Sequence, residues 1–447
     1  MSALNATVFA LQYGLPLYSY AKLALPFVEG NAVNLLVHST EFATPQSTIV
    51  LLPNVDTLYS TALYDLSQND LQVTIPDIGP DRYWSFAFYD PFGNNFATIS
   101  SIHNEPGGEY LLQYVEDVTW GFQPLVPKDS SSEYQGYVTS PTIDGTILGR
   151  ILVKNDIQDV THVQSYINAS NALSIPRKSS TSASLTARNL EPYSTEATPL
   201  AILNLLANFF DTNPPFNISA SAVEDLNTII LDAGIYGGSY HQQPDLDLSE
   251  AYDLAVSALQ NSVSTIFKPF NNGWHHSVPQ GLFSDNYIDR AATAATAYLE
   301  LTSDQVLYAM TENQQMQLSS NESYLYTFSG RPPLANDGFW SLTLYNADGY
   351  LVENSLNKYS VGDRSNITFP DGTLVYGNDS VTRDGVFQVL VQAASVEPPK
   401  NWTNNWLPCP SDSIFSTTLR LYAPLAALSD GTYQYPIITK GQAISHK

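Results

Sequence analysis

The chain holds a single cysteine, Cys409, so no intrachain disulfide can form and a cysteine-rich metal site is excluded. Basic residues are scarce as well. The 18 Lys and Arg stand against 43 Asp and Glu, and the net charge of -25 opposes binding to phosphate backbones and to anionic lipid surfaces. No nucleic acid and no membrane is therefore expected as a partner. No run reaches the roughly 18 apolar residues of a membrane-spanning helix. The start, MSALNATVFALQYGLPLYSYAKLALPFV, lacks the basic region and small-residue cleavage site of a signal peptide and reads as an amphipathic helix of the mature fold. Charged residues make up only 14% and hydrophobic ones 43%, the composition of a folded globular chain. The length predicts about three domains of ordinary size.

The common catalytic signatures are missing too: G-x-S-x-G, the P-loop, G-x-G-x-x-G and H-E-x-x-H. Of the histidines His38, His103, His162, His241, His275, His276 and His446, only His275 and His276 are adjacent, and neighbouring side chains on a helix or strand diverge. No metal and no cofactor is expected, since catalytic zinc and iron need convergent ligand sets.

What is abundant is Asn, Ser and Thr. Sequons occur at Asn5, Asn168, Asn217, Asn321, Asn366, Asn378 and Asn401. Chance placement gives roughly six such acceptor patterns at this composition, so the sequons alone decide little. The acidic, Lys-poor surface adds weight to an extracellular or secretory location, with N-glycans at those positions and a signal peptide absent from this chain. A cytoplasmic location stays open, and a homodimer is admitted.

From Ile49 to Val153 the apolar residues follow a period of two. In RYWSFAFYD, Trp84, Phe86 and Phe88 point one way while Ser85 and Ala87 point the other. Turns recur at Pro76–Gly79, Pro91–Gly93 and Pro106–Gly108, and short strands at that spacing predict a sandwich. The Ser/Thr-rich stretch from Pro176 to Asn189 reads as an exposed linker. Beyond it the period becomes helical. Ser221 and Glu224 form a capping-box pattern, Ala255, Leu259, Val263, Ile266 and Phe267 make a stripe ended by Pro269, and a further helix is predicted over Asp285 to Leu299. Strand patterns return from Tyr324, with tight turns at Asp348-Gly349 and Asp371-Gly372. The predicted division is an N-terminal helical segment over 1–48, a β-sandwich over 49–175, a linker and helical region over 176–320, and a second β-domain over 321–447.

The segment LLPNVDTLYSTALYDLS…VTIPDIGPDRYWSFAFYDPFGNNF resembles the domain of unknown function 1254. PPLANDGFWSLTLYNADGYLVENSLNKYS with NNWLPCP…LRLYAP resembles its companion, the domain of unknown function 1214, and YIDRAATAA lies between them. The resemblance implies a mainly β chain with a helical insert: an Ig-like β-sandwich, a helical middle region and a C-terminal jelly-roll, packed around a shared cleft. It implies little chemistry. The chain departs from the commoner bacterial pattern in lacking a lipoprotein-type start and in inserts around Asp129–Glu133 and Asp379–Asp384.

The matching positions supply the candidate residues. Asp56, Tyr59, Tyr287 and Arg290 are the catalytic candidates, the last two sharing a helix face at a spacing of three. Tyr89, Asp90, Trp340, Tyr345, Asn357, Tyr359, Trp406 and Arg420, joined by Tyr422, combine aromatic walls with a few polar groups, the composition of a small-molecule pocket. Structural readings stand beside these. Trp340 alternates with Leu342 and Leu344 as a core residue does. Arg290 and Arg420 in such low-charge surroundings also fit buried ion-pair partners of Asp56 or Asp90. Asp56 fits an Asx-turn.

These residues predict a cofactor-independent enzyme, whether hydrolase, lyase, isomerase or cyclase. It would use acid–base chemistry or substrate preorganisation on a small, largely uncharged organic molecule in an inter-domain cleft. The alternatives are a secreted protein that binds carbohydrate or small molecules without catalysis, and an extracellular structural protein.

Overall fold

The structure, a computed structural model, describes residues 1–48, 51–116, 118–125, 132–154, 157–178, 180, 184–377 and 384–445. Asn378, His446, the side chain of Val263 and most of the two inserts near Asp129 and Asp379 lie outside the described residues.

Strict alternation builds the N-terminal sandwich. One sheet runs in the order Val37–Ser39, Thr57–Asp65, Asp144–Leu152, Trp84–Tyr89, Asn95–Ser100. The other runs Asn171–Pro176, Asn69–Ile75, Gly108–Tyr114, Gly136–Ser140, Gly121–Pro124. Leu58, Ala62, Tyr64, Trp84, Phe86, Phe88, Ile147 and Ile151 of the first sheet meet Leu71, Val73, Tyr110 and Leu112 of the second in one core. Because side chains alternate across a strand, Thr57, Tyr59, Ser85, Tyr89, Thr146 and Arg150 are carried on the opposite face of the first sheet.

The C-terminal sandwich repeats the scheme. Its six-stranded sheet runs Phe267–Pro269, Trp274–Ser277, Val306–Thr311, Phe415–Tyr422, Trp340–Asn346, Ser360–Gly362. The four-stranded partner runs Trp406–Cys409, Phe387–Ala393, Glu322–Phe328, Ile437–Gln442. Leu307, Trp340, Leu342, Leu344, Leu419 and Leu421 fill its core, so Tyr308, Ser341, Thr343, Tyr345, Arg420 and Tyr422 occupy the other face. The two outward faces meet. Four β-layers are thereby stacked, and the middle seam joins one sheet of each sandwich. We call these two sheets the inner sheets.

The helices cover what remains of the N-terminal inner sheet. The helix Ala3–Glu29, capped by the Ser2 hydroxyl accepting from the Asn5 amide, packs on Thr198–Phe209, Leu248–Ile266 and Tyr287–Ala297. Gly14 permits the close approach, since a Cβ there would stand 3.1 Å from Ile202 and 3.2 Å from Leu206. Leu63 and Phe92 join the helical core, which ties this layer to the first sandwich.

The fold is mainly β with a helical middle region, as the residues predict, but the boundaries move. Val37–Ser39 already pairs with Thr57–Asp65, so the first sandwich starts before residue 49. Strands at Phe267–Pro269, Trp274–Ser277 and Val306–Thr311 belong to the C-terminal inner sheet, so that sandwich recruits chain from the region expected to be helical. Helical periodicity is strong enough there to hide strands of three, four and six residues. The helix Ala220–Asp232 is capped by Ser219, whose hydroxyl accepts from the Ala222 amide, and not by Ser221. Arg177, in the expected exposed linker, is tied down by donating to the carbonyls of Leu66 and Tyr114.

Candidate functional site

The seam is closed at one end by the loop PNVD. The Asn54 carbonyl oxygen accepts from the Asp56 amide at 2.5 Å, and its amide nitrogen donates to the Tyr422 hydroxyl at 2.7 Å. The Asx-turn expected of Asp56 is thus made by Asn54, two residues earlier. Asp56 crosses the seam instead: Oδ1 accepts from Arg364 Nη2 at 2.6 Å, and Oδ2 from the Ser341 hydroxyl at 2.6 Å. Arg364 also donates to the Val153 carbonyl and lies 4.9 Å from the Phe339 ring centroid. Neither Arg290 nor Arg420 is the partner of Asp56. Tyr83, Phe339 and Tyr422 pack beside this clamp, with Phe339 and Tyr422 stacked at 4.1 Å. These rings supply apolar burial worth about 1.5–3 kcal/mol each.

Two further arginines differ from Arg364. Arg150 lies across from Tyr59 on one neighbouring strand and Ser85 on the other. Arg420 lies across from Tyr308 and Ser341. Each inner sheet therefore presents a Tyr–Arg–Ser row to the seam. Both arginines are buried, at 5% and 4% exposure. Arg150 Nη2 donates to the Leu299 carbonyl at 3.1 Å, and Arg420 Nη2 to the Leu52 carbonyl at 2.7 Å. Both acceptors are leucines with left-handed backbones, φ +68 at Leu299 and +50 at Leu52. Such conformations cost an ordinary residue of the order of 1–3 kcal/mol, so the surrounding structure must impose them.

The other half of each guanidinium is underused. Arg150 Nη1 has only a long contact with the Tyr89 hydroxyl at 3.5 Å, and Arg420 Nη1 makes no hydrogen bond, although the Tyr345 hydroxyl engages this guanidinium. Among the described residues neither arginine forms an ion pair with a carboxylate. Tyr308 and Tyr422 act electrostatically on both, so the same two phenols lie near each cation. Buried hydroxyls of Thr57 and Thr146, both on the facing surface, also lack hydrogen bonds, whereas Ser85 and Thr343 lie near the hydroxyls of Tyr83 and Tyr345. An uncompensated buried cation costs several kcal/mol, and a bare buried hydroxyl about 1–3 kcal/mol.

Glu300 borders the same group, with the Gly281 amide at 3.3 Å and the Ser277 hydroxyl at 3.4 Å. Burial pushes its pKa up to about 8, and its charge acts on Tyr89 and Tyr308. Burial likewise raises the phenols of Tyr89, Tyr308 and Tyr422. Around Arg150 and Arg420 the seam thus adds neutral phenols and, at neutral pH, a largely protonated Glu300 carboxyl, all of them hydrogen-bond donors.

Of the residues singled out in the sequence, Tyr59, Tyr89, Tyr345, Arg420 and Tyr422 converge here. The Tyr345 hydroxyl donates to the Pro53 carbonyl at 2.9 Å, and its ring lies 5.5 Å from the Arg420 guanidinium. Tyr287 and Arg290 are elsewhere. Arg290 is caged by the rings of Tyr13, Phe92 and Tyr287 at 4.4, 4.7 and 5.0 Å and donates to the Tyr13 carbonyl, which joins the helices to the sandwich. Asp90 accepts twice from Asn94, at 2.7 and 2.8 Å, and burial pushes its pKa up to about 6 against the pull of Arg290. Trp340 donates to the Tyr376 hydroxyl inside the C-terminal core, and Trp406, on the edge strand, donates to the Gln392 carbonyl of the neighbouring strand. Asn357, with φ +48, caps an exposed turn where it accepts from the Tyr359 hydroxyl at 3.2 Å.

Arg150, Tyr308, Glu300, Asn54 and Arg364 are the contributors that sequence reasoning missed. Arg150 had a signal. In DGTILGRIL it is the one cation, set among Ile, Leu and Gly, and a charge there must meet something specific. Two surface clefts lie away from the seam. One of about 350 Å³ is bordered by Tyr114, Trp120 and Phe216, the other of about 270 Å³ by Asp144, Arg188 and Asn208. Among the described residues no three His, Cys, Asp or Glu gather as a metal-binding group, and no helix is long and apolar enough to cross a membrane.

Stacked sandwiches, a helical layer and a polar seam define a two-domain, mainly β class of chain. Residues 33–171 match the family described as Protein of unknown function (DUF1254), and residues 304–426 match Protein of unknown function (DUF1214). The chain belongs to the two-domain family that pairs them. Its fold is like that of the VPA0106 protein from Vibrio parahaemolyticus, known from a crystal structure. The two are 19% identical with a TM-score of 0.64, over 98% of this chain and 100% of that one. An uncharacterized protein from Burkholderia cenocepacia is 11% identical with a TM-score of 0.47, over 95% of this chain and 87% of that one. No curated protein matches the chain.

Proposed function

We propose that the protein is a cofactor-independent enzyme that performs acid–base chemistry on a small organic molecule held in the seam between the inner sheets. The observation that carries this reading is the pair of buried arginines, Arg150 and Arg420, which share two phenols and have no carboxylate partner among the described residues. For fold stability alone, apolar residues of similar volume would serve as well or better. Charges retained at such cost suit a reaction in which negative charge develops on a substrate oxygen. Preorganised donors in a water-poor site stabilise such charge without reorganising.

In this reading Glu300, protonated at neutral pH, gives its proton to that oxygen and recovers one from substrate or solvent at the end of the cycle. The tyrosine hydroxyls of the two rows hold the substrate in one orientation. Isomerisation, elimination and cyclisation through an enolate or alkoxide all fit these groups, and hydrolysis fits with water as the nucleophile. The test is mass-spectrometric screening of the full chain against small enones, lactones and hydroxy acids. Isomerised, dehydrated or hydrolysed product is expected with wild type and at least tenfold less with folded Glu300→Gln and Tyr308→Phe. Product that forms at the same rate with both variants would contradict the assignment.

A second reading, a secreted binding protein, draws on the 350 Å³ cleft, where the Trp120 and Phe216 rings meet edge-on at 5.1 Å. Rings so placed can stack on a sugar. Oligosaccharide binding that Trp120→Ala abolishes would favour it.

A further inference from the structure

We propose that the ligand of the seam carries a carboxylate, held with one oxygen toward Arg150 Nη1 and the other toward Arg420 Nη1, on an otherwise uncharged body that contacts the surrounding tyrosines. This rests on the enzymatic reading above for the place of the site and adds the chemical class of what enters it.

Half of each guanidinium is already committed. Nη2 of both arginines is committed to a main-chain carbonyl, of Leu299 in one case and Leu52 in the other. These bonds fix the two planes and leave Nη1 on each side, bare on Arg420 and weakly engaged on Arg150. Two donors from two separate cations match the two oxygens of one carboxylate, and charge-assisted bonds of this kind are about twice as strong as neutral ones. A monoanion also answers the electrostatics. It neutralises part of a double positive charge that no carboxylate among the described residues offsets, since Asp56 is already engaged by Arg364 and Ser341.

The rest of the seam sets the remainder of the molecule. Tyr59, Tyr308 and Tyr345 place rings within 5.7, 6.0 and 5.5 Å of the two guanidiniums, so the carboxylate-bearing end is flanked by aromatic surface. The unbonded hydroxyl of Thr57 provides for a neutral oxygen such as a carbonyl or hydroxyl. Tyr59 and Tyr308 are the half-buried members of the two rows. The net charge of -25 makes the outer surface repel anions. Discrimination for a carboxylate therefore resides in the seam itself rather than in long-range steering.

The experiment is calorimetric titration of the full chain with benzoate, cinnamate and 4-phenylbutyrate against their primary amides, for wild type, Arg150→Gln, Arg420→Gln, the charge-keeping Arg150→Lys and Tyr308→Phe. Carboxylates are expected to bind at least tenfold more tightly than amides. Each Gln variant should lose at least tenfold in carboxylate affinity, with Arg150→Lys losing less. Amides that bind as well as carboxylates, while Tyr308→Phe still weakens them, would overturn the carboxylate and leave the site standing. Binding indifferent to every substitution, or no carboxylate binding at millimolar concentration, would overturn this inference, and indifference to Tyr308→Phe would remove the seam as the site as well.

Discussion

Asp56 and Arg364, 308 positions apart in the chain, meet at 2.6 Å across the seam between the two sandwiches. The loop that opens the first sandwich is thus a fastening of the second. Asp363 stands 3.4 Å from Arg364 Nε, so Arg364 keeps one carboxylate if Asp56 is changed. Asp56→Asn is expected to destabilise by about 3 kcal/mol, the lower end of the cost of breaking a buried pair. Chemical unfolding followed separately by tryptophan fluorescence and circular dichroism checks this.

Glu300 and Asp144 predict how stability depends on pH. Burial raises Glu300 from 4.5 to about 8 and Asp144 from 3.8 to about 7. The folded protein therefore holds protons that the unfolded chain has already released. Their stabilisation is full below the unfolded values and is lost as pH rises toward 7 for Asp144 and 8 for Glu300. Each group contributes a slope of about 1.4 kcal/mol per pH unit across its window. The melting temperature should fall between about pH 5 and pH 8, and Glu300→Gln should flatten the fall at its upper end. A wild-type curve that rises over this range would contradict the burial of both carboxyls.

The same carboxyl gives a kinetic prediction. If Glu300 is the proton donor, turnover falls as pH rises through about 8. Loss of a general acid typically costs 10²–10⁴-fold, so Glu300→Gln should lower kcat by roughly 10² or more without a comparable rise in KM. A pH–rate profile on the first substrate found decides this.

How much of this was legible is clearest residue by residue. The alternation of Trp84, Phe86 and Phe88 identified a sandwich strand, because the core enforces a period of two. Tyr59, Tyr89, Tyr345 and Arg420 were found through the resemblance, and all four lie in the seam. Trp406 and Asn357 came from the same motifs but serve an edge strand and a turn, so a matching motif marks packing as readily as chemistry. Arg364 and Glu300 could not be read at all. The first depends on a contact between chain segments 308 positions apart, and the second on burial that only the tertiary fold creates.

Those two bystanders are themselves testable. Trp406→Phe should lower the melting temperature by leaving space around a buried indole and giving up its bond to the Gln392 carbonyl, whereas Asn357→Gly at φ +48 should change stability by less than about 1 kcal/mol. Neither should alter ligand affinity in the seam.

The sequons at Asn5, Asn168, Asn217, Asn321, Asn366 and Asn401 are all exposed. If the protein is exported, as its composition suggests, expression through a eukaryotic secretory pathway should give a product whose mass drops on enzymatic deglycosylation. An unchanged mass would weigh against the secretory reading.

If Arg150 and Arg420 are kept for a ligand and Arg364 for the fold, the three must differ when no ligand is bound. The most direct measurement is the melting temperature of the ligand-free protein for Arg150→Met, Arg420→Met and Arg364→Met. Arg364→Met strands the buried Asp56 carboxylate and should lower it clearly. The other two remove unneutralised charges and should leave it unchanged or higher, in spite of the carbonyl partners they give up. A fall of equal size in all three would contradict the claim and make every arginine of the seam structural.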